Sequence, residues 1–373
     1  MPIVLMPIRI LLGTLLMLRL LSAAQPSERS FYLGFTPFPY AVSVEAVQYT
    51  YQTIARDADL IAHHFDNGVP WVEALRGEPY RPAVLDDWSW RRAQTPPGHK
   101  RYVSVAPINL WRNGLALYRG DGEDMPLPPP WDGYDFNHPD VKAAFLNYCL
   151  EIIAYFEPDY FNMGIEVNGL LNNAPDRWEA YLELHRHVYE GIKRQYPELP
   201  VFVSLLAMDL LDEATDTDHA AHLEAVRQLG PYTDLFALSI YPYMSAYMTG
   251  PLPADLFDRL ASLSDKPMAI AETGYPAETF AVPVNSALLT FETDADRQAR
   301  YIQQLLDAAQ QHDFVFVINF VLRDYDALLE AVAAPSVAQL ALLWKDTGLY
   351  DQDGRSRPAL DIWRNWLALP VSR

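Results

Sequence analysis

Two glutamates stand where short apolar runs break into polar turns. Glu166 lies in Asp159-Tyr-Phe-Asn-Met-Gly-Ile-Glu-Val-Asn168, and Glu272 in Lys266-Pro-Met-Ala-Ile-Ala-Glu-Thr-Gly-Tyr-Pro276. A carboxylate at the mouth of a buried strand is costly to desolvate, so such a position usually has a task. Strand and helix patterns separate the two, and a fold that returns to the same place would bring both to one substrate. Paired carboxylates are the chemistry of glycosidic-bond cleavage: one protonates the leaving oxygen while the other attacks the anomeric carbon or activates water. The alternative for each glutamate is an ion pair with an arginine or lysine of the scaffold.

Other polar and aromatic groups cluster at strand ends. Ala62-His-His-Phe-Asp-Asn-Gly-Val-Pro-Trp71 ends one apolar run with His64, Asp66, Asn67 and Trp71, a set suited to gripping sugar hydroxyls above a ring. His63, His64 and Asp66 also resemble a metal set, but adjacent strand residues face opposite sides, and no further histidine ends a strand. Neither metal nor cofactor is therefore expected. Asn109 and Trp111 follow another strand, and Trp131 ends the stiff segment Met125-Pro-Leu-Pro-Pro-Pro-Trp131. Each of these two tryptophans is either a sugar platform or core packing. There is no glycine-rich phosphate loop, no G-x-S-x-G elbow and no Cys/His zinc spacing. Asp209, Asp212, Glu213, Asp216 and Asp218 read as a solvated acidic loop.

The elements that must position these groups repeat. Strand-like runs fall at Phe31–Phe35, Leu60–His64, Arg101–Ala106, Tyr160–Gly164, Val201–Leu205, Leu235–Ile240, Met268–Ala271 and Phe314–Asn319. Helical patterns between them are clearest at Val44–Arg56, Val141–Phe156, Arg177–Gln195, Ala220–Leu229, Pro253–Leu263 and Ala295–Gln311, with Pro358–Leu367 last. Eight alternations predict a single (β/α)₈ barrel over residues 25–373; a doubly wound open sheet is the competing arrangement. In a barrel, the long segments Arg112–His138 and Ala277–Thr293 both lie on the C-terminal face, where clefts are built.

Composition narrows the partners. With 48 acidic against 28 basic side chains and a net charge of −20, the chain repels nucleic acid and anionic membranes. Residues 1–24 carry a basic start, a short apolar run and a Ser22-Ala-Ala24 ending, which predicts a signal peptide cut before Gln25 rather than a retained anchor. The single cysteine, Cys149, precludes an internal disulfide. Export without disulfides fits a bacterial periplasm or exterior. Aromatics reach 13%, including 9 Trp and 22 Tyr, which suits a carbohydrate partner as well as a large core. A monomer is expected.

Ile270-Ala-Glu-Thr-Gly-Tyr-Pro276, Leu238-Ser-Ile-Tyr-Pro-Tyr243 and Asn162-Met-Gly-Ile-Glu-Val-Asn168 resemble the strand-seven, strand-six and strand-four signatures of clan A glycoside hydrolases. Within that clan the chain is most similar to the endo-β-1,4-galactanase family, including its tail Asp346-Thr-Gly-Leu-Tyr-Asp-Gln-Asp-Gly354. The resemblance implies a (β/α)₈ barrel with Glu166 as general acid/base, Glu272 as nucleophile and Tyr241 orienting Glu272. Two positions depart. Ile165 replaces the asparagine that precedes the clan's acid/base, with Asn168 the nearest amide. The strand-eight end reads Val317-Ile-Asn-Phe-Val-Leu-Arg-Asp324 where the clan carries tryptophan, leaving Phe320 to stack and Asn319 or Asp324 to hydrogen-bond. The loss at Ile165 also motivates a non-catalytic glycan-binding barrel, and a metal-dependent barrel hydrolase is the third reading.

Overall fold

Parallel strands alternate with helices from one end of the chain to the other. The computed structural model describes residues 26–248, 250–284, 287–331 and 341–373; the expected signal segment 1–24 lies outside them. The strands are β1 (Tyr32–Phe35), β2 (Leu60–Phe65), β3 (Lys100–Val105), β4 (Tyr160–Asn162), β5 (Val201–Phe202), β6 (Ser204–Leu206), β7 (Phe236–Ile240), β8 (Met268–Thr273), the pair β9 (Phe280–Val284) and β10 (Ala287–Phe291), and β11 (Phe316–Asn319). The main sheet runs β5-β4-β3-β2-β1-β11-β8-β7-β6. Its two ends, β5 and β6, are halves of one strand joined through Val203, so the sheet closes into an eight-stranded barrel. The open doubly wound alternative is thereby excluded.

The helices are α1 (Val44–Asp57), α2 (Trp71–Arg76), α3 (Pro82–Gln94), α4 (Pro139–Phe156), α5 (Gly169–Asn173), α6 (Trp178–Gln195), α7 (His219–Leu229), α8 (Leu256–Ala261), α9 (Ala295–Gln311), α10 (Asp326–Ala331) and α11 (Pro358–Leu367). Caps fix several starts: Ser43, Asp218 and Asp294 each accept a first-turn N–H. The expected strands and long helices occur within a few residues of their sequence positions. Helix α3 and the β9–β10 hairpin were not expected. Only Val84 and Trp88 of α3 are buried, too thin an apolar stripe to read from sequence.

Period-two alternation sorts the strand side chains. Phe161, Phe236, Leu238, Ile240 and Ile270 face the helices, while Leu60, Ala62, Tyr102, Phe202, Ala237, Ala269, Phe316 and Ile318 form a second core along the axis. There the rings of Tyr102, Phe202 and Phe316 stand 5.6–6.0 Å apart, opposite small alanines. Large and small residues thus fill the barrel as a plug rather than a pore. Above this apolar floor lies a polar belt: Asn162 Nδ2 donates to the Tyr102 hydroxyl at 2.8 Å and, more weakly, to Ser204 Oγ at 3.4 Å. The cleft opens above that belt, at the C-terminal ends of the strands.

Candidate active site

Glu272 reaches the cleft because β8 breaks its own alternation. Leu238 pairs with Ile270 but Ser239 pairs with Glu272, so one extra residue, Ala271, is accommodated as a bulge. Ala269 and Ala271 already point inward. Without the bulge Glu272 would follow Ile270 toward the helices; with it, Glu272 follows Ala271 into the barrel, and Thr273 turns outward to bond the Ile240 carbonyl at 2.7 Å. Glu166 is delivered by a turn. After β4, Asn162 Oδ1 accepts the Gly164 N–H at 3.0 Å, and Ser204 Oγ accepts the Glu166 N–H at 3.1 Å. A Cβ on Gly164 would lie 2.7 Å from Val167 and 2.9 Å from the Tyr181 hydroxyl, so only glycine fits. Glu166 itself sits at φ 51°, a left-handed conformation costly for a side chain with a Cβ.

One strand holds both carboxyl groups. Ser239 and Tyr241, two residues apart and both on the inner face of the β7 line, donate to them separately: Ser239 Oγ to Glu166 Oε1 at 2.6 Å, and the Tyr241 hydroxyl to Glu272 Oε1 at 2.5 Å. Glu166 Oε2 accepts from Arg112 Nη2 at 3.0 Å. His64, inward-facing on β2, lies 3.4 Å from an Asp66 oxygen. Burial, and next the charge of Glu166, push the Glu272 carboxyl up to about 7, against the opposing pull of His64 and the Tyr241 hydroxyl. Burial also works on His64, downward, but the carboxylates of Asp66 and Glu272 outweigh it and the net direction is up. Asp66, although burial disfavours its charge, is held at about 2 by His64 and Arg112. Two half-buried carboxyl groups with different partners, beside an imidazole drawn toward its charged form, can divide acid and nucleophile roles.

A family model for glycosyl hydrolase family 53 matches residues 120–363, more than half of the chain. The chain belongs to glycosyl hydrolase family 53. It is thus a glycoside hydrolase, and a carbohydrate substrate fits it. Among solved structures it resembles a GH5_18 protein from Streptomyces cattleya in complex with GlcNAc, with TM-score 0.61 and 17% identity over 93% of this chain and 83% of that one. Fungal β-1,4-galactanases align at TM-score 0.54 and 16% identity, covering 90% of this chain and 99% of theirs. Xylanase 10B from Thermotoga maritima aligns at 0.55 and 11%, covering 91% and 95%. These likenesses are of fold. No curated protein matches the chain.

Within this family 53 barrel, Glu166, Glu272, Tyr241, His64 and Asp66 come together in the cleft, and Trp111 stands at its mouth, 53% exposed. Other expected sugar contacts are corrected by burial. Trp71 is wholly buried, donates Nε1–H to the Ala116 carbonyl at 2.8 Å and stacks on Trp131 at 5.5 Å. Trp131, 4% exposed, therefore pins its proline-rich loop to the barrel instead of facing substrate. Asn168 is buried and closes the β6 end, accepting the Leu206 N–H at 2.7 Å and meeting His222 at 3.1 Å. Asn319 is buried and donates to the Val321 carbonyl at 2.9 Å. Asn109, by contrast, is not buried; it spans its own turn to Asn113 at 2.9 Å in the loop that carries Trp111.

Asp324 is also interior, bonded to Arg357 and to the Gly348 N–H at 3.0 Å; burial pushes it up to about 8 despite Arg357. Glu278, Asp324 and Asp346 bring carboxylate oxygens within 4.8 Å of one another, but Arg357 and Lys345 supply the cations among them. His63 faces outward, its Nε2 2.8 Å from Thr95 Oγ1, so it and His64 do not share a metal.

Four contributors escaped the sequence reading. Ser239 was legible in principle, being two residues before Tyr241 on one strand. Ser204 and Arg112 carry no such signal. Trp344 packs edge-on against Tyr241 at 5.8 Å and Phe320 at 5.8 Å, placing an indole beside the ring that takes the expected strand-eight position. No helix among the described residues is long and apolar enough to cross a membrane.

Proposed function

We propose that this chain is a retaining hydrolase of β-linked glycans, acting by double displacement with Glu272 as nucleophile and Glu166 as acid/base. Glu272 Oε attacks the anomeric carbon as the glycosidic C–O bond breaks, and the leaving oxygen takes the proton of Glu166. A glycosyl ester on Glu272 results. Glu166, now a carboxylate, removes a proton from water; the water oxygen displaces Glu272 and the sugar leaves with its original anomeric configuration. Tyr241 orients the attacking carboxylate, and His64, drawn toward its charged form by Asp66, faces it. The observation that carries this reading is the paired grip of Ser239 on Glu166 and Tyr241 on Glu272 from one strand.

The substrate class is a β-1,4-linked polysaccharide, with galactan first to be tried, as the fungal galactanase likeness and the family resemblance suggest. The chain acts as a monomer, exported after cleavage before Gln25; the amino terminus of exported protein checks the latter. Proton NMR of the first products from a panel of β-linked glycans tests the mechanism. The β-anomer is expected first, and an initial α-anomer, or no turnover across the panel, overturns it. Glu166→Ala should remain active on dinitrophenyl glycosides, which leave without a proton, while losing oligosaccharide cleavage by about 10²–10⁴-fold.

A further inference from the structure

Arg112 holds Glu166 without belonging to any strand. It lies in the loop after β3, directly behind the exposed Leu110 and Trp111, and adopts φ 52°, a conformation few non-glycine residues occupy. Its Nη1 donates to the Asn109 carbonyl at 3.0 Å and its Nη2 to Glu166 Oε2 at 3.0 Å, while the buried Nε has no partner among the described residues. The Nε/Nη2 edge of a guanidinium is a planar fork that matches two adjacent oxygens. Here only one prong of that fork is used.

The inventory of donors makes this contact a problem for catalysis. Ser239 grips Glu166 Oε1 from inside the barrel and can turn its hydroxyl to donate or accept. Arg112 comes from the loop after β3 onto Oε2 and can only donate, so it competes with a proton for that oxygen. A carboxylic acid ready to protonate a leaving oxygen on the mouth side therefore needs Arg112 moved off. Ile165, buried beside Glu166, offers no polar atom to replace it.

We propose that Arg112 is a positioning residue that reads the leaving-side sugar. An incoming glycan stacks on Trp111 and takes the Nε/Nη2 fork onto two of its hydroxyl oxygens. Oε2 of Glu166 is then free to deliver its proton to the glycosidic oxygen. The inference rests on the two-glutamate mechanism above. It makes proton delivery conditional on a sugar, rather than any leaving group, filling that side of the cleft.

The test compares Arg112→Met and Arg112→Lys on β-1,4-galactotetraose and on 2,4-dinitrophenyl β-1,4-galactobioside, the pair being remade in another sugar if the glycan panel selects one. The aryl substrate has no leaving-side sugar. Loss of charged hydrogen bonds should lower kcat/KM of Arg112→Met on the tetrasaccharide about 10–100-fold, and by at least tenfold more than on the aryl substrate. Lysine keeps the charge but not the fork and should recover only part of the difference. With the aryl donor and free galactobiose as acceptor, the ratio of transfer to hydrolysis should also fall in Arg112→Met, because the acceptor occupies the same side. Equal losses on the two substrates, or an unchanged transfer ratio, overturn the proposal; if Arg112→Met does not fold, Arg112→Lys decides alone. A wild-type protein that cleaves nothing would sink the mechanism instead, so the two failures are distinct.

Discussion

Glu272→Gln is a stability experiment as much as a catalytic one. The folded protein holds this carboxyl at about 7 against an ordinary 4.5, chiefly through burial and then through the charge of Glu166. Between those two values the folded state binds a proton that the unfolded chain has already released. Stability therefore falls as pH rises through the window, and the full penalty is present only above the folded value. At 1.36 kcal/mol per pH unit, the difference corresponds to about 3 kcal/mol. Glutamine keeps an oxygen for the Tyr241 hydroxyl and carries no charge to desolvate, though His64 loses one of the carboxylates that draw it positive. The expected gain is thus about 2–3 kcal/mol at pH 8 and near zero at pH 4.5. For a chain of this size that is roughly 3–4 °C in melting temperature. Melting both proteins from pH 4.5 to 8 and subtracting isolates Glu272 together with the groups coupled to it, since distant titrations cancel. Parallel curves, or a variant less stable than wild type at pH 8, would refute the assignment of Glu272 to a desolvated site beside a second negative charge.

Because Glu272 must be ionised to attack, the acid limb of kcat/KM should lie near pH 7 rather than in the usual carboxylate range. His64→Gln removes a facing positive charge, so a pH–rate profile should show that limb moving to still higher pH. Trp131→Ala opens a cavity against Trp71 and should destabilise by about 3–5 kcal/mol, seen as an earlier denaturant midpoint, with long and short substrates affected alike. Trp111→Ala deletes an exposed ring: melting should barely move, while KM rises for tetrasaccharides much more than for aryl glycosides.

The barrel was legible because its strands are continuous apolar runs separated by well-capped amphipathic helices, and both features are local. The two glutamates were legible because a charged residue inside such a run has no cheap structural explanation. The side on which each would emerge was not. Strict alternation sends Glu272 toward the helices with Ile270; only the Ala271 bulge turns it inward, and nothing in Met268-Ala-Ile-Ala-Glu-Thr273 announces a bulge. The long loop after β3 was placed correctly at the cleft, yet its tryptophan at 131 is packing and its tryptophan at 111 is not. Both follow strand three, and their difference is set by whether a partner such as Trp71 waits across the barrel rim.

The polar residues that misled the reading share one cause. Asn168, Asn319 and Asp324 stand at or just beyond strand ends, where hydrogen-bonding side chains suit a sugar and suit a broken sheet equally well. At that level each strand leaves its ladder, and its backbone N–H and C=O groups must find other partners before they can be buried. Asn168 caps Leu206 on both polar atoms, Asn319 satisfies the Val321 carbonyl, and Asp324 accepts from Gly348 and Arg357. Only polar side chains left over after that demand can face a ligand. Glu166, Glu272, His64 and Asp66 bond mainly to one another's neighbourhood of side chains, not to backbone that the fold must satisfy. A strand-end residue whose partners are other side chains is therefore the stronger functional candidate, and Arg112, which no motif contains and which also braces its own loop backbone, joins the glutamates through its bond to Glu166.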